Sequence, residues 1–409
     1  MNEKQTLKTG FNGYQKLVIF LLALTQFTVV LDFMVMSPLG DIMMKTLKIT
    51  ASQFGIAVSA YAFSAGISGL LTAGFADKFD RKKLLLFFYI GFTIGTVFCA
   101  IAPTFILLVA ARIFTGIFGG VIGSISMAIV ADLFNLQQRG KVMGFIQMGF
   151  GVSQVLGIPI GLYIANAWGW HVPFLWIAAM AAIITLVLSF KLQPIVEHLS
   201  LKQEKTPIQH LWHTISKPHY QVGFLSTALL SIGGFMMMPF GSAFAINNLK
   251  VTNDELPLLF MITGIATLIT MPIAGKLSDK FSKFKLFAFA TLFAIIVMNV
   301  YAHFAATPFW IVLVTNILMM MAIMSRMVPS TTLTSAIPEP QDRGAFMSIN
   351  SSLQQMAGGF GAMIAGLIIV QKDNYAPLEH YDTLAMVASV IMLVSIYLVS
   401  RVSKIVYKK

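Results

Sequence analysis

Residues 74–84 read GFADKFDRKKL, and a similar segment, GKLSDKFSKFKL, occupies residues 275–286. A second pair of similar segments consists of RGKVMG at residues 139–144 and RGAFMS at residues 343–348. The offset is 202 residues for the first pair and 204 residues for the second. Two matches at nearly the same spacing indicate an internal duplication, so the chain is predicted to contain two homologous halves.

These repeated segments lie between long apolar runs. Of the 409 residues, 57% are hydrophobic and only 11% are charged, whereas charged residues make up about a quarter of an ordinary soluble domain. Such a composition excludes a soluble enzyme and a disordered chain, and continuous apolar runs disfavour a membrane β-barrel. The fold class is therefore predicted to be an all-α membrane protein with twelve spans, at residues 17–39, 53–75, 84–102, 105–131, 142–165, 171–190, 221–246, 256–275, 286–304, 309–335, 344–370 and 384–400.

The distribution of basic residues predicts the orientation of the spans. If both termini are cytoplasmic, 22 of the 28 lysines and arginines fall in cytoplasmic segments, and only four fall in outer loops. This is the bias expected of an inserted helical protein. It accounts for the net charge of +12 without a nucleic-acid partner. We expect a multi-pass protein of the plasma membrane, specifically a bacterial inner membrane, with an uncleaved first span.

The longest hydrophilic connection divides the predicted spans six and six. The predicted domains are a first six-helix half at residues 1–190, a cytoplasmic linker at 191–220 and a second half at 221–409. Parallel repeats of this kind are typical of secondary transporters whose substrate site lies at the midplane, between the halves.

Four motifs carry a resemblance to the major facilitator superfamily. Residues 74–83 resemble its loop signature G-x-L-A-D-R-x-G-R-K, although Phe75 and Asp80 replace Leu and Gly. RIFTG at residues 112–116 resembles its R-x-x-Q-G motif, with threonine in place of glutamine. The glycine- and proline-rich stretch from 149 to 161 resembles the antiporter motif, and LDFMVMSP at 31–38 is similar to an acidic motif of proton-coupled drug exporters.

The resemblance implies a major facilitator fold with two pseudo-symmetric halves, and a transporter rather than an enzyme. It favours proton-coupled export of a small organic solute, such as a drug-like compound or a sugar, by alternating access. The alternative is an importer or facilitator of a sugar or another metabolite in which Asp32 is structural. The expected partners are a small-molecule substrate, protons and the lipid bilayer, with no nucleic acid, no cofactor and no metal, and the protein is expected to be a monomer.

Asp32 is the only acidic residue deep inside a predicted span, and Arg112 lies at a similar depth in another. Charges at that depth are costly, so each is expected to face a partner or a water-filled cavity. We predict that the two residues couple transport to protons; the alternative is a static ion pair that holds two helices together. The predicted substrate-binding residues are Asp32, Met36, Arg112, Met238 and Arg326, although Arg326 has an equally plausible structural role.

An inner gate is predicted at the repeated loops. Asp77 and Asp279 end the second helix of each half, and each is expected to dock on a helix that starts just after Arg343 or Arg139 in the other half. A helix N-terminus attracts a carboxylate, so this contact is expected to stabilise the outward-open state, with Arg81 as a further clamp charge. The alternative is a solvated loop whose charges only set the topology.

The fifth run contains a predicted kink and a close packing surface. Gly157, Pro159 and Gly161 lie within five residues of one another. Proline bends a helix and glycine lets two backbones approach closely.

Overall fold

The computed structural model describes residues 11–73, 75–200, 207–339 and 342–408, and these ranges are almost entirely helical. The exception to the helices and loops is an isolated antiparallel bridge between Val370 and Glu379. The first part of the chain forms α1 Gly13–Val35, α2 Gly40–Leu47, α3 Ala51–Ala73, α4 Arg81–Ile101, α5 Phe105–Leu133, α6 Leu136–Val152, α7 Ile158–Trp168 and α8 His171–Lys191. The second part forms α9 Pro207–Ser216, α10 Pro218–Phe235, α11 Gly241–Asn247, α12 Glu255–Lys280, α13 Lys283–Ala302, α14 Phe309–Ser335, α15 Arg343–Ile368 and α16 Tyr381–Lys408.

Eleven helical stretches in the described ranges are long and apolar enough to cross a membrane. The predicted eleventh run is the one that does not meet this standard, although it forms α15, a helix of 26 residues. Polar side chains explain the difference, because α15 carries Asn350, Gln354 and Gln355 together with several serines. At 1.5 Å per residue this helix is roughly 39 Å long.

Two apolar runs that were predicted as continuous helices are interrupted in the structure. The helix of the first run ends at Val35, and a second helix, α2, begins at Gly40, after Pro38. The seventh run is interrupted in the same way between Phe235 and Gly241, where a short 3-10 turn contains Pro239. A proline removes a backbone donor and disrupts the helix before it.

Helix packing repeats on the two sides of the linker. In the first part, α1 packs on α6, α3 on α5, α4 on α5 and α4 on α8. In the second part, the equivalent pairs are α10 with α15, α12 with α14, α13 with α14 and α13 with α16. The internal duplication in the sequence therefore has a structural counterpart.

Contacts between the two parts of the bundle include α3 with α15, α7 with α12, and α2 with α11. One end of the bundle carries α9, the segment Ala76–Arg81 and the start of α15, and we call it the linker side. The opposite end carries α2 and α11, and we call it the far side.

Candidate functional site

A cavity of about 1010 Å³ lies between the two parts of the bundle. Its walls come from helices on both sides of the linker, and it reaches residues of the linker side such as Ala76, Ser335 and Gly344. On the far side, by contrast, the helices are in close contact. The cavity therefore opens toward the linker side.

The cavity lining is polar but nearly uncharged. Among the described residues that line the cavity, only Arg81 carries a charge, and it lies at the linker side. Hydrogen-bonding capacity comes from many serine and threonine hydroxyls and from five side-chain amides, those of Gln26, Gln147, Asn350, Gln354 and Gln355. Aromatic surface comes from Phe33, Tyr61, Phe150 and Phe235. The polar face of α15 thus belongs to the cavity wall.

Asp32 and Arg112 form a buried ion pair next to this cavity. The Arg112 Nη1 atom donates to Asp32 Oδ2 at 2.8 Å, and both side chains are fully buried. Thr96 Oγ1 donates to the other carboxylate oxygen, Asp32 Oδ1, at 3.2 Å. The pair therefore joins α1, α4 and α5.

The guanidinium of Arg112 is only partly satisfied. Its Nε and Nη2 atoms have no hydrogen-bond partner among the described residues. Its Cζ atom lies 4.5 Å from the centre of the Tyr61 ring, which is close enough for a cation–π interaction. Neither Asp32 nor Arg112 lines the cavity in this conformation, whereas their neighbour Tyr61 does.

The other predicted substrate-binding residues also lie away from the large cavity. Met36 is buried in the core. Met238 lines a separate small cavity of about 20 Å³ near the far side. Arg326 is 1% exposed, and its Nη2 atom donates to Ser395 Oγ at 3.2 Å. Direct contact of these residues with a solute in the large cavity is therefore not supported in this conformation.

Arg326 has few partners for a buried cation. Its Nε and Nη1 atoms have no hydrogen-bond partner among the described residues, and its Cζ atom lies 5.5 Å from the centre of the Phe287 ring. A buried charge without a counterion costs several kcal/mol or more. Because burial of the Arg326 charge is costly, the role of Arg326 can be tested by measuring the stability of variants at this position.

The far side is closed by a hydrogen-bond network that the sequence analysis missed. Asn247 Nδ2 donates to Asp41 Oδ1 at 2.7 Å, and Lys45 Nζ donates to Asp41 Oδ2 at 2.8 Å and to Asn247 Oδ1 at 3.2 Å. Ser242 Oγ donates to the Ser37 carbonyl at 2.9 Å, and Ser37 Oγ donates to the Met238 carbonyl. Asp41, Lys45 and Asn247 lie at or beyond the ends of the predicted spans, so the sequence carried no special signal for this network.

The predicted inner gate lies at the open end of the cavity. The side chain of Asp77 is outside the described residues. Arg81 Nε donates to Asp132 Oδ2 at 3.1 Å, within the first part of the bundle. Asp279 and Arg343 are both exposed. Arg139 lies within the first turn of α6, which begins at Leu136, so the expectation that a helix starts just after Arg139 is wrong.

A second charged cluster stands where the linker meets α15. Lys217 Nζ lies 2.6 Å from Asp342 Oδ2, and Tyr220 Oη donates to the same carboxylate oxygen at 2.9 Å. The hydrogen bond from Lys217 to Asp342 raises the pKa of Lys217 above its usual value. The cluster connects the end of the linker to the residue that precedes α15.

The predicted kink coincides with a local change of helix type. Residues Ser153–Gly157 form a π-helical turn, and Pro159 follows it at the start of α7. Because Pro159 has no backbone N–H, the regular hydrogen-bond ladder cannot continue through it. A Cβ atom placed on Gly157 would lie 2.6 Å from Leu31 Cδ1. The glycine thus permits close packing of this span on α1.

Comparisons of the sequence with a family model and with known proteins point to the same family. The family model described as Major Facilitator Superfamily matches residues 22–241 and 223–406. The uncharacterized MFS-type transporter YbcL of Bacillus subtilis (strain 168) is 26% identical over 377 residues, which cover 91% of this chain and 94% of YbcL. A probable sugar efflux transporter of Helicobacter pylori (strain ATCC 700392 / 26695) is 24% identical over 289 residues, 70% of this chain and 72% of that protein.

A solved structure shares the fold. It is a bacterial homolog of the human lysosomal transporter Spinster, in an inward-facing and unoccupied conformation. The TM-score is 0.78 at 17% sequence identity, and the match covers 98% of this chain and 99% of the other.

Proposed function

Because this chain belongs to the Major Facilitator Superfamily, we propose that it is a secondary transporter that exports a small uncharged organic solute in exchange for protons. The observation that carries the proposal is the buried Asp32–Arg112 pair beside a large polar cavity. An ionisable residue inside a membrane is by default a candidate for ion or substrate coupling.

The pair is suited to couple protons because its energy depends on protonation. Protonation of Asp32 removes the negative charge that Arg112 contacts at 2.8 Å. In a low-dielectric interior, the loss of that contact leaves an uncompensated guanidinium and disfavours the arrangement of α1 and α5 that holds it. Binding or release of a proton at Asp32 thus alters the relative energies of the two conformations of the transporter.

The chemistry of the cavity lining supports an uncharged organic solute. The lining offers hydrogen bonds from amides and hydroxyls, and stacking on aromatic rings. Among the described lining residues only Arg81 is charged, and it lies at the linker side, so the interior of the cavity offers no counterion for a charged solute. A site of this kind favours a neutral solute with polar groups and at least one apolar face. The name of the Helicobacter pylori relative, a probable sugar efflux transporter, agrees with this class and with export.

We also propose the membrane orientation. The linker side is cytoplasmic, because 22 of 28 basic residues then fall in cytoplasmic segments. The conformation described above is then inward-open, with α15 as the twelfth span and six spans on each side of the linker at residues 191–220. Asp77, Arg81, Asp279 and Arg343 are the proposed inner gate, which forms when the linker side closes. We propose a monomer in a bacterial inner membrane.

Transport in proteoliposomes tests the function. The purified full chain is reconstituted, and uptake of neutral sugars, a cationic dye and an anionic sugar phosphate is measured under imposed pH gradients. For proton exchange, an acidic vesicle interior drives a neutral solute into the vesicles, and the charged probes accumulate less.

The sign of the gradient separates the proposal from its alternative. Accumulation in vesicles with an alkaline interior would identify a proton symporter that imports its solute. Equilibration without accumulation under either gradient would identify a facilitator, and Asp32 would then be structural.

A further inference from the structure

Tyr61 contacts the buried ion pair and also lines the cavity. Its ring faces the Arg112 guanidinium at 4.5 Å. Tyr61 is among the residues that line the cavity, although only 3% of the residue is exposed. Asp32 and Arg112 are fully buried and are not among the lining residues.

The position of Tyr61 depends on a glycine of α5. A Cβ atom added to Gly119 would lie 2.6 Å from the Tyr61 hydroxyl oxygen, and one added to Gly116 would lie 2.5 Å from the Tyr61 carbonyl oxygen. Real Cβ atoms essentially never approach so closely. The small residues therefore leave room for the tyrosine next to Arg112, and we expect a methyl group at position 119 to displace its ring.

Tyr61 is also part of an aromatic surface that spans the two parts of the bundle. Its ring centre lies 5.4 Å from that of Phe33 of α1. The Phe33 ring in turn lies 6.1 Å from that of Phe235 of α10. All three residues line the cavity. A solute with a flat apolar face that stacks on this surface contacts Tyr61 directly.

We propose that the Tyr61 ring is a movable partition that controls the access of water to the Asp32–Arg112 pair. Tyr61 is therefore a positioning residue, which acts through the pair. The transport consequence rests on the proposed proton exchange: a solute that displaces the ring opens the pair to cavity water, so proton release follows solute binding. Among the described residues, the titratable groups that interact with the pair are the Tyr61 phenol and the thiol of Cys99, a buried residue of α4.

Chemical modification of Asp32 tests the partition without any assumption about transport. The full-length protein in liposomes is treated with a water-soluble carbodiimide, and the modified fraction of Asp32 is measured by mass spectrometry. We expect Tyr61→Ala and Gly119→Ala to raise this fraction severalfold above wild type. Tyr61→Phe, which keeps the ring, should match wild type.

Gly123→Ala is the matched control on the same helix. Gly123 also lines the cavity, but its added Cβ would meet only Gln26 Oε1, at an ordinary 3.6 Å. This variant should leave Asp32 protected. If Tyr61→Ala does not fold, Gly119→Ala carries the test, because it adds a single methyl group.

A second measurement separates the partition from the proposed function. Proton entry into solute-free proteoliposomes, followed with an internal pH dye, should rise in Tyr61→Ala and Gly119→Ala. Greater Asp32 modification without greater proton entry would support the partition and count against proton coupling at Asp32. Unchanged Asp32 modification in both variants would overturn the partition.

Discussion

The side-chain amide of Asn247 donates a hydrogen bond of 2.7 Å to Asp41 and so connects α11 to α2 across the far side. Asp41 is 3% exposed and Asn247 is 4% exposed, so this bond is shielded from solvent. It can exist only while the far side is closed. Under the proposed orientation it stabilises the inward-open state.

The first prediction concerns this bond. Asn247→Ala should shift the transporter toward the outward-open state, because a hydrogen bond to a charged group is worth roughly 1.5–3 kcal/mol, about tenfold or more in the equilibrium. The measurement is the rate at which an impermeant thiol reagent, added on the far side, labels a Val58→Cys reporter in a Cys99→Ser background. Val58 lines the small cavity near the far side. Asn248→Ala is the control, since Asn248 bonds to Leu378 within the second part. Equal labelling in the two variants would count against a gate here.

The second prediction concerns proton coupling. Asp32→Asn should abolish accumulation driven by a pH gradient while solute exchange across the membrane continues. The reason is that the amide of asparagine neither binds nor releases a proton in the working pH range. Both activities are measured in proteoliposomes. Asp254→Asn, at an exposed loop position, should keep both. Continued gradient-driven accumulation by Asp32→Asn would remove Asp32 from the coupling mechanism.

The third prediction uses the unsatisfied Arg326. Arg326→Met should raise the melting temperature in detergent, because an apolar side chain avoids the desolvation cost of a buried cation; replacement of buried charges has stabilised other proteins by about 1–4 kcal/mol. The exposed Arg401→Met should leave the melting temperature nearly unchanged. A fall in the melting temperature of Arg326→Met would mean that Arg326 has favourable partners that compensate for its burial.

The fourth prediction concerns packing at the kink. Gly157→Ala should destabilise the protein by about 1–3 kcal/mol, the usual cost of overpacking, because the new methyl group would meet Leu31 at 2.6 Å. Gly144→Ala lies in the same predicted span, and its added Cβ meets nothing within 4 Å. Thermal unfolding of the two variants in parallel measures the difference, and equal melting temperatures would show that the site relaxes freely.

The fifth prediction concerns pH. The hydrogen bond to Asp342 raises the pKa of Lys217 above its usual 10.5. A raised folded-state pKa contributes stability that is fully present below pH 10.5 and is lost as the pH rises through the folded value. Lys217→Met should therefore be less stable than wild type at neutral pH, and the two melting temperatures should converge above that range. A constant difference across the range would show that the charge of Lys217 is not the cause.

Much of the helical architecture follows from the sequence because apolar runs and the repeat offset are strong signals. The interruptions at Pro38 and Pro239 escaped detection because the chain stays apolar on both sides of each interruption. The contact between Asp32 and Arg112 followed from their predicted depths, because two opposite charges in a membrane interior lower their energy by pairing. Their separation from the cavity did not follow, because it depends on the tertiary packing of the side chains around the pair, Tyr61 among them.

The far-side network was missed for a different reason. Asp41 and Asn247 lie at or beyond the ends of the predicted spans, where polar residues are ordinary and carry no special signal. Only the tertiary approach of α2 to α11 brings them together.

The polar character of α15 has a consequence for biosynthesis. Helices enter a bilayer individually according to their hydrophobicity, and α15 falls short of the standard that the eleven other stretches meet. Its polar face is covered once it packs on α3 and α10 and borders the cavity. Under the proposed topology, we expect packing on α3 and α10 to assist the stable insertion of α15. Both helices precede α15 in the chain, so they are synthesised before it.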